Sequence, residues 1–237
     1  MKKKKRKTNT HATDNYLDKL ITSKNAKSPV SEAFRTIRTN IEFSDIDKDK
    51  KTLLTTSATQ GEGKSVVTAN LGVTMAMAGK RVLILDADLR NPTMHKIFNV
   101  RNNVGITNLL LNGSISLEET LVSPRPNLYF LPCGPLPPNP AELLGSKKMR
   151  DFITSLEEHF DIILVDAPPA LAVTDASVLA SYLDGVILIA ASGQAPLEQV
   201  VAAKEQLLKV KANILGVVLN KVPQGNGSYY YHYHYGQ

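Results

Sequence analysis

The sequence predicts an α/β domain built on a mainly parallel, twisted sheet with helices on both faces. Short, almost unbroken apolar runs at 53–57, 82–86, 128–131, 162–166, 186–190 and 214–220 have the length of strands buried on both sides. Between most of them lie segments of helical character, at 64–78, 147–159, 175–181 and 196–209, which carry the chain back across the sheet and keep successive strands parallel. Polar residues gather where the runs end, and ligands of such sheets sit beyond the carboxyl ends of the strands.

Taken in order, residues 1–28 are polar and charged without sustained periodicity and read as a mobile basic arm. Pro29 suits a helix start, and Val30, Ala33, Phe34, Ile37 and Ile41 fall at helical spacing, giving a helix over 30–43 with one apolar stripe. A charged linker at 45–51 leads to the first strand, which runs directly into a glycine turn. The folded domain is expected to span 29–222. Beyond it, 223–228 breaks the fold and a flexible tyrosine-rich tail completes 223–237. No internal repeat is present.

The formal net charge of +6 has one source. Lys2, Lys3, Lys4, Lys5, Arg6 and Lys7 supply six positive charges, and without them 22 basic residues face 22 acidic ones. A basic face for nucleic acid would have to come from the folded part, so none is expected. The arm is suited to anionic lipid headgroups or to solvation as a free end. It is no signal peptide, because residues 8–19 are polar where an apolar segment would have to follow the charges. No apolar run approaches the roughly 18 residues of a membrane span. The single cysteine, Cys133, excludes an internal disulfide and reads as a packing residue.

The segment Ala58-Thr-Gln-Gly61-Glu62-Gly63-Lys64-Ser65 follows a strand and opens a helix, the context a phosphate-binding P-loop requires. Its glycines let the backbone curl so that N–H groups and the positive end of the helix dipole face phosphate oxygens. Lys64 neutralises β/γ-phosphate charge and Ser65 is placed to ligate magnesium. The nucleotide contacts expected run from Gly61 through Glu62, Gly63, Lys64 and Ser65 to Val66. Ala58 stands where the usual pattern has its first glycine. Carboxylates are then needed at strand tips, to hold the metal or its waters and to orient the nucleophile. Asp86 and Asp88 end one strand and Asp166 another. Each could instead cap the following helix or accept turn hydrogen bonds. Arg90 suits a phosphate, a neighbouring chain or a surface salt bridge.

The order P-loop, Asp86-x-Asp88-x-Arg90, Val165-Asp166-x-Pro168-Pro169 resembles the deviant-Walker P-loop ATPases and, within them, the bacterial tyrosine kinases of capsular and exopolysaccharide synthesis. Over 29–237 further features match that family: Glu32-x-x-Arg35-x-x-Arg38, the proline-rich loop at 134–144, Val173-x-Asp175-Ala176, and a tail with Tyr229, Tyr230, Tyr231, Tyr233 and Tyr235. The resemblance implies an ATP- and Mg2+-dependent autokinase of separate-polypeptide type. In it Lys64 and Ser65 contact phosphate and metal, Asp86 steers or deprotonates the phenol, and Asp88 and Asp166 support metal and water; the metal set is Ser65, Asp86 and Asp166. It further implies that Asn220 reads adenine, that Glu32, Arg35 and Arg38 assemble a homo-oligomeric ring, and that the tail tyrosines are phosphoacceptors. Protein substrates and a transmembrane activator of the polysaccharide co-polymerase class follow from the same resemblance, with the chain cytoplasmic and peripheral at the inner membrane face.

Thr59 stands where partitioning relatives carry an extra lysine, which weakens that subclass. On a helix surface, Glu32 and Arg35 are also spaced for simple intrahelical pairing. Two alternative functions are a positioning ATPase that passes phosphate to water, and a scaffold whose bound nucleotide only sets assembly. His232 and His234 between the tyrosines read as solvated spacers, since two imidazoles make an incomplete metal site.

Overall fold

The computed structural model describes residues 20–44, 50–111 and 115–223. The basic run, most of the charged linker and the five tail tyrosines lie outside the described residues. Seven strands form one sheet in the order β3-β4-β2-β5-β1-β6-β7. They are β1 (Thr52–Ser57), β2 (Val82–Asp86), β3 (Val122–Arg125), β4 (Leu128–Leu131), β5 (Ile162–Asp166), β6 (Gly185–Ala191) and β7 (Ile214–Asn220). All neighbours run parallel except β3 and β4. The expected six strands are present, and β3 is an addition. Pro124 and its polar neighbours hide it from an apolar search, and an edge position is where a strand tolerates proline.

The sheet separates two apolar layers. On one face pack α1 (Ile21–Lys24), α2 (Pro29–Glu42), α3 (Lys64–Met77) and α4 (Met94–Ile97). The other carries α5 (Ile106–Leu111), α7 (Pro140–Gly145), α8 (Lys147–Leu156), α9 (Asp175–Ala180) and α10 (Leu197–Lys209), with the short α6 (Leu117–Thr120) leading into β3. α3 is apolar almost all round and is buried from Val67 to Ala76, because the sheet covers one side and α1 and α2 the other. None of the described helices is long and apolar enough to cross a membrane.

Residues 20–28 correct the expected arm boundary. Leu20 and Thr22 are buried, and Thr22 donates from its backbone N (3.2 Å) and Oγ1 (3.0 Å) to Asn70 Oδ1 on α3. Ser28 then caps α2, accepting from Ser31 N. A single helical turn is too short for periodicity to reveal, and its polar partner on α3, Asn70, lies 48 residues away. Cys133 is buried in the core, and burial pushes its thiol up to about 12, which leaves it unreactive.

Candidate nucleotide and phosphotransfer site

Register brings the acidic tips together. Asp86 of β2 lies opposite Asp166 of β5, and Asp166 lies opposite Thr55 of β1. One hydrogen bond from Ala87 N to Asp166 O (2.9 Å) and another from Ala167 N to Thr55 O (3.0 Å) extend this alignment past the strand ends. The glycine turn therefore opens beside two carboxylate-bearing strands.

The turn is rigidly built. Gly61 and Gly63 adopt φ of 85° and 87°, which any side chain would strain, and Gly63 is the N-cap of α3. A Cβ on Gly63 would stand 2.4 Å from Asn220 Nδ2. Between the glycines, the Glu62 side chain turns inward, fully buried. Its Oε1 accepts from Thr59 N (2.6 Å) and Thr59 Oγ1 (3.0 Å), and its Oε2 from Ala191 N (3.0 Å). Asn220 Nδ2 donates to Glu62 O (2.8 Å) and Lys221 Nζ to Gly61 O (2.7 Å). Glu62 and Asn220 thus strap the loop to β6 and β7, and any contact of Glu62 with phosphate is left to its backbone.

At the mouth, Lys64 Nζ sits 2.9 Å from Asp88 Oδ2 and 3.4 Å from Asp166 Oδ2. Ser65 Oγ donates to Asp166 Oδ2 at 2.6 Å, and Thr93 Oγ1 donates to Ser65 Oγ at 3.2 Å. Asp86 accepts from the backbone N–H groups of Asp88 and Met94, both at 3.3 Å. Asp88 Oδ1 accepts from Asn91 N (3.0 Å). The predicted Lys64, Ser65, Asp86, Asp88 and Asp166 therefore share one centre. Val66 lines the adjoining cavity.

Burial pushes the Asp86 carboxyl well above its ordinary range, and the neighbouring Asp166 and Asp88 add to the rise against the pull of Lys64. Asp166 is raised by burial as well, opposed by Lys64 and by the Ser65 hydrogen bond. For Lys64, burial favours the neutral amine, but Asp166, Asp88 and Asp86 outweigh it and hold the ammonium charged. One ammonium and three carboxyl groups thus meet at the mouth of the turn. The donors are hydroxyl and carboxylate oxygens, the ligand type of Mg2+. Among the described residues no group of three or more His, Cys, Asp or Glu side chains is placed to hold a metal ion by itself.

Arg90 spans the far side of the mouth. Its Nε and Nη2 each reach the fully buried Asp175 at 2.9 Å, a bidentate pair joining the loop after β2 to the start of α9. Arg90 was expected to meet a phosphate, a neighbouring chain or a surface acid; within the chain it instead pairs with a buried acid, hidden from the sequence because it lies 85 residues away. A cavity of about 400 Å³ opens between the glycine turn and an apolar wall of Pro168, Pro169, Ala172 and Val173. On α2, Glu32 pairs with Arg35 and Arg38 lies 3.7 Å from Glu42, all within the helix.

The fold and this centre define a P-loop nucleotide-binding protein. A family profile described as an AAA domain matches residues 50–215. The tyrosine-protein kinase YwqD of Bacillus subtilis (strain 168) is 44% identical over 207 residues, covering 87% of each chain. The putative tyrosine-protein kinase CapB of Staphylococcus aureus is 44% identical over 211 residues, 87% of this chain and 91% of CapB. Among solved structures, the chimerical protein CapA2B2 superposes with a TM-score of 0.84 at 38% identity, covering 87% of this chain and 91% of that one. The septum site-determining protein MinD with Mg-ADP from Pyrococcus horikoshii OT3 gives 0.62 at 27% identity, covering 75% of this chain and 72% of that one. The chain belongs to the bacterial tyrosine-protein kinases.

Proposed function

We propose that this chain binds Mg-ATP and transfers the γ-phosphoryl group to tyrosines of the C-terminal cluster, Tyr229, Tyr230, Tyr231, Tyr233 and Tyr235, of a neighbouring subunit. The observation that carries the reading is the convergence of Lys64, Ser65, Asp86, Asp88 and Asp166 at the mouth of the glycine turn, in a chain whose relatives are named tyrosine-protein kinases. The triphosphate lies in the N–H nest from Gly61 to Val66, with Lys64 on the β/γ-oxygens. Ser65, Asp86 and Asp166 would hold the magnesium or its waters, and the metal would offset phosphate charge. Asn220, beside Gly63 at the turn, reads adenine.

The acceptor ring enters along the apolar wall. Its Oη bonds to the γ-phosphorus as the bond from that phosphorus to the β,γ-bridging oxygen breaks, ADP leaves, and the phenolic proton passes to Asp86. A phenol of pKa about 10 is a poor nucleophile at neutral pH, and a buried carboxylate raised above its usual range is a stronger base than an exposed one. Asp88 keeps Lys64 in place. Glu32, Arg35 and Arg38 assemble a ring by exchanging their intrahelical partners for those of a neighbour. A transmembrane activator of the polysaccharide co-polymerase class holds the ring at the inner membrane face, the basic arm adds lipid contact, and the output is control of capsular or exopolysaccharide synthesis together with other protein substrates.

The test is incubation with γ-labelled ATP and the activator's cytoplasmic tail, comparing the full chain, Lys64→Ala, Asp86→Ala and a chain ending at Gly227. Label confined to tyrosine and lost in all three variants is the expected result. Label released only as free phosphate would instead mark a positioning ATPase, and nucleotide retained without turnover a scaffold.

A further inference from the structure

The two sides of the site are held by separate sets of contacts. The glycine turn is strapped to β6 and β7 through Glu62, Asn220 and Lys221, and Lys221 Nζ also donates to Gln194 Oε1 (2.8 Å) in the loop after β6. The opposite side consists of two loops. Residues 87–93, after β2, bring Asp88, Asn91 and Thr93 to the cavity, and residues 167–174, after β5, form its apolar wall. The inner end of the wall is fixed to β1: Thr56 Oγ1 donates to Pro168 O (2.8 Å) and Ala170 N to Ser57 O (2.8 Å). Farther out, Leu171, Ala172 and Thr174 are exposed. At the outer end stands Asp175, fully buried, whose two oxygens accept from Arg90 Nε and Nη2. Arg90 follows Asp88, the partner of Lys64, by two residues, and precedes Asn91, whose N–H meets Asp88. One planar, two-point pair therefore joins the acid-bearing loop to the outer end of the wall, while the rings of Pro168 and Pro169 stiffen the segment between.

We propose that Arg90 and Asp175 are positioning residues for phosphotransfer: their pair sets the gap between the acid-bearing loop and the apolar wall, and so decides whether the γ-phosphoryl group passes to tyrosine or to water. The proposal rests on the kinase reading. A phenol needs both loops at once, because its ring lies along the wall while its proton faces Asp86, whose carboxyl is held by the N–H groups of Asp88 and Met94 on the Arg90 side. Water needs no wall. Its oxygen bonds to the γ-phosphorus as the bond to the β,γ-bridging oxygen breaks, one proton passes to Asp86, the other stays on the phosphate released, and ADP leaves. A misplacement of about 1 Å costs an oriented reactant up to about a hundredfold in rate, a penalty that falls on the phenol and spares a freely turning water. Lysine is no substitute for Arg90, since an ammonium is a point charge on a flexible stem and cannot fix both oxygens of Asp175 in one plane.

The experiment is the labelled-ATP incubation described above, run on the full chain, Arg90→Lys and Asp175→Asn, with phosphotyrosine and free phosphate measured separately and ATP binding measured by itself. Arg90→Lys keeps a cation beside the buried acid, so the fold carries no orphaned charge. Its rate of tyrosine labelling is expected to fall, and its ratio of free phosphate to phosphotyrosine to rise, at least about tenfold. ATP affinity is expected to stay within about threefold, because the turn is strapped to β6 and β7 by other residues. Asp175→Asn, which offers Arg90 one acceptor oxygen in place of two, is expected to move the ratio in the same direction. A pair that only supports the fold would lower both products together, and an unchanged ratio would overturn the proposal. Loss of ATP binding in both variants would overturn it as well, since the two sides of the site would then not be held separately. If the unaltered chain labels no tyrosine, the kinase reading fails and this proposal with it; label on the unaltered chain with the same ratio in both variants sinks the positioning role alone.

Discussion

Lys64 is held by opposing demands. Its ammonium is nearly buried, and it remains charged because Asp166 and Asp88 lie within hydrogen-bonding or ion-pair distance. Removing it strands carboxylates that have little access to water. Lys64→Met is therefore expected to lower the free energy of unfolding by about 3–5 kcal/mol at neutral pH, beyond its loss of phosphotransfer. Urea denaturation at pH 7 and pH 5 checks this, with part of the loss recovered at the lower pH as the orphaned carboxylates take up protons. Asp86 gives the complementary sign. Its folded pKa is raised by burial above the unfolded value of about 3.9, so its stability contribution is full below that value and is lost as the pH climbs through the raised one. Asp86→Asn has no such loss. Melting curves of the two proteins should diverge as the pH rises from about 4 toward neutrality, in favour of the variant; a constant gap would contradict the assignment.

At the scale of the elements, what the sequence made legible were local patterns. The glycine turn, its lysine and serine, and the acids at 86, 88 and 166 each sit at the end of an apolar run, so composition and position coincide. What stayed hidden were polar contacts between distant segments. The Glu62 strap to Ala191 spans 129 residues, the Arg90–Asp175 pair 85, and the Thr22–Asn70 contact 48. Nothing in the spacing of an isolated Glu or Arg reports such a partner, and a one-turn helix or a proline-bearing edge strand has too few residues to show a period. α2 is where local and intermolecular readings compete. Its Glu32–Arg35 pair contributes little to the isolated helix, and Arg35 also donates to Ala26 O just before it. Arg38→Glu should reduce the oligomeric mass in sedimentation while nucleotide binding is retained; an unchanged mass would assign the cluster to a solvated face.

Across the whole molecule the distribution of charge matters more than its sum. Six cations stand within residues 2–7, while the remainder of the chain is formally neutral, so any attraction to an anionic surface acts at one end. The arm precedes Leu20, which is fixed to the α3 side of the sheet through α1 and the Thr22–Asn70 contact. Each basic residue near an anionic leaflet contributes about 1 kcal/mol, so Lys3→Gln with Lys4→Gln should weaken binding to phosphatidylserine-containing vesicles by about 30-fold. The attraction is between exposed charges, so raising the salt to about 1 M, where the Debye length falls to about 3 Å, should abolish it. Vesicle sedimentation of the full chain and the double variant at low and high salt measures both effects. Binding that survives high salt would point to the exposed apolar residues rather than the arm, and equal binding by the two proteins would remove the arm from the membrane altogether.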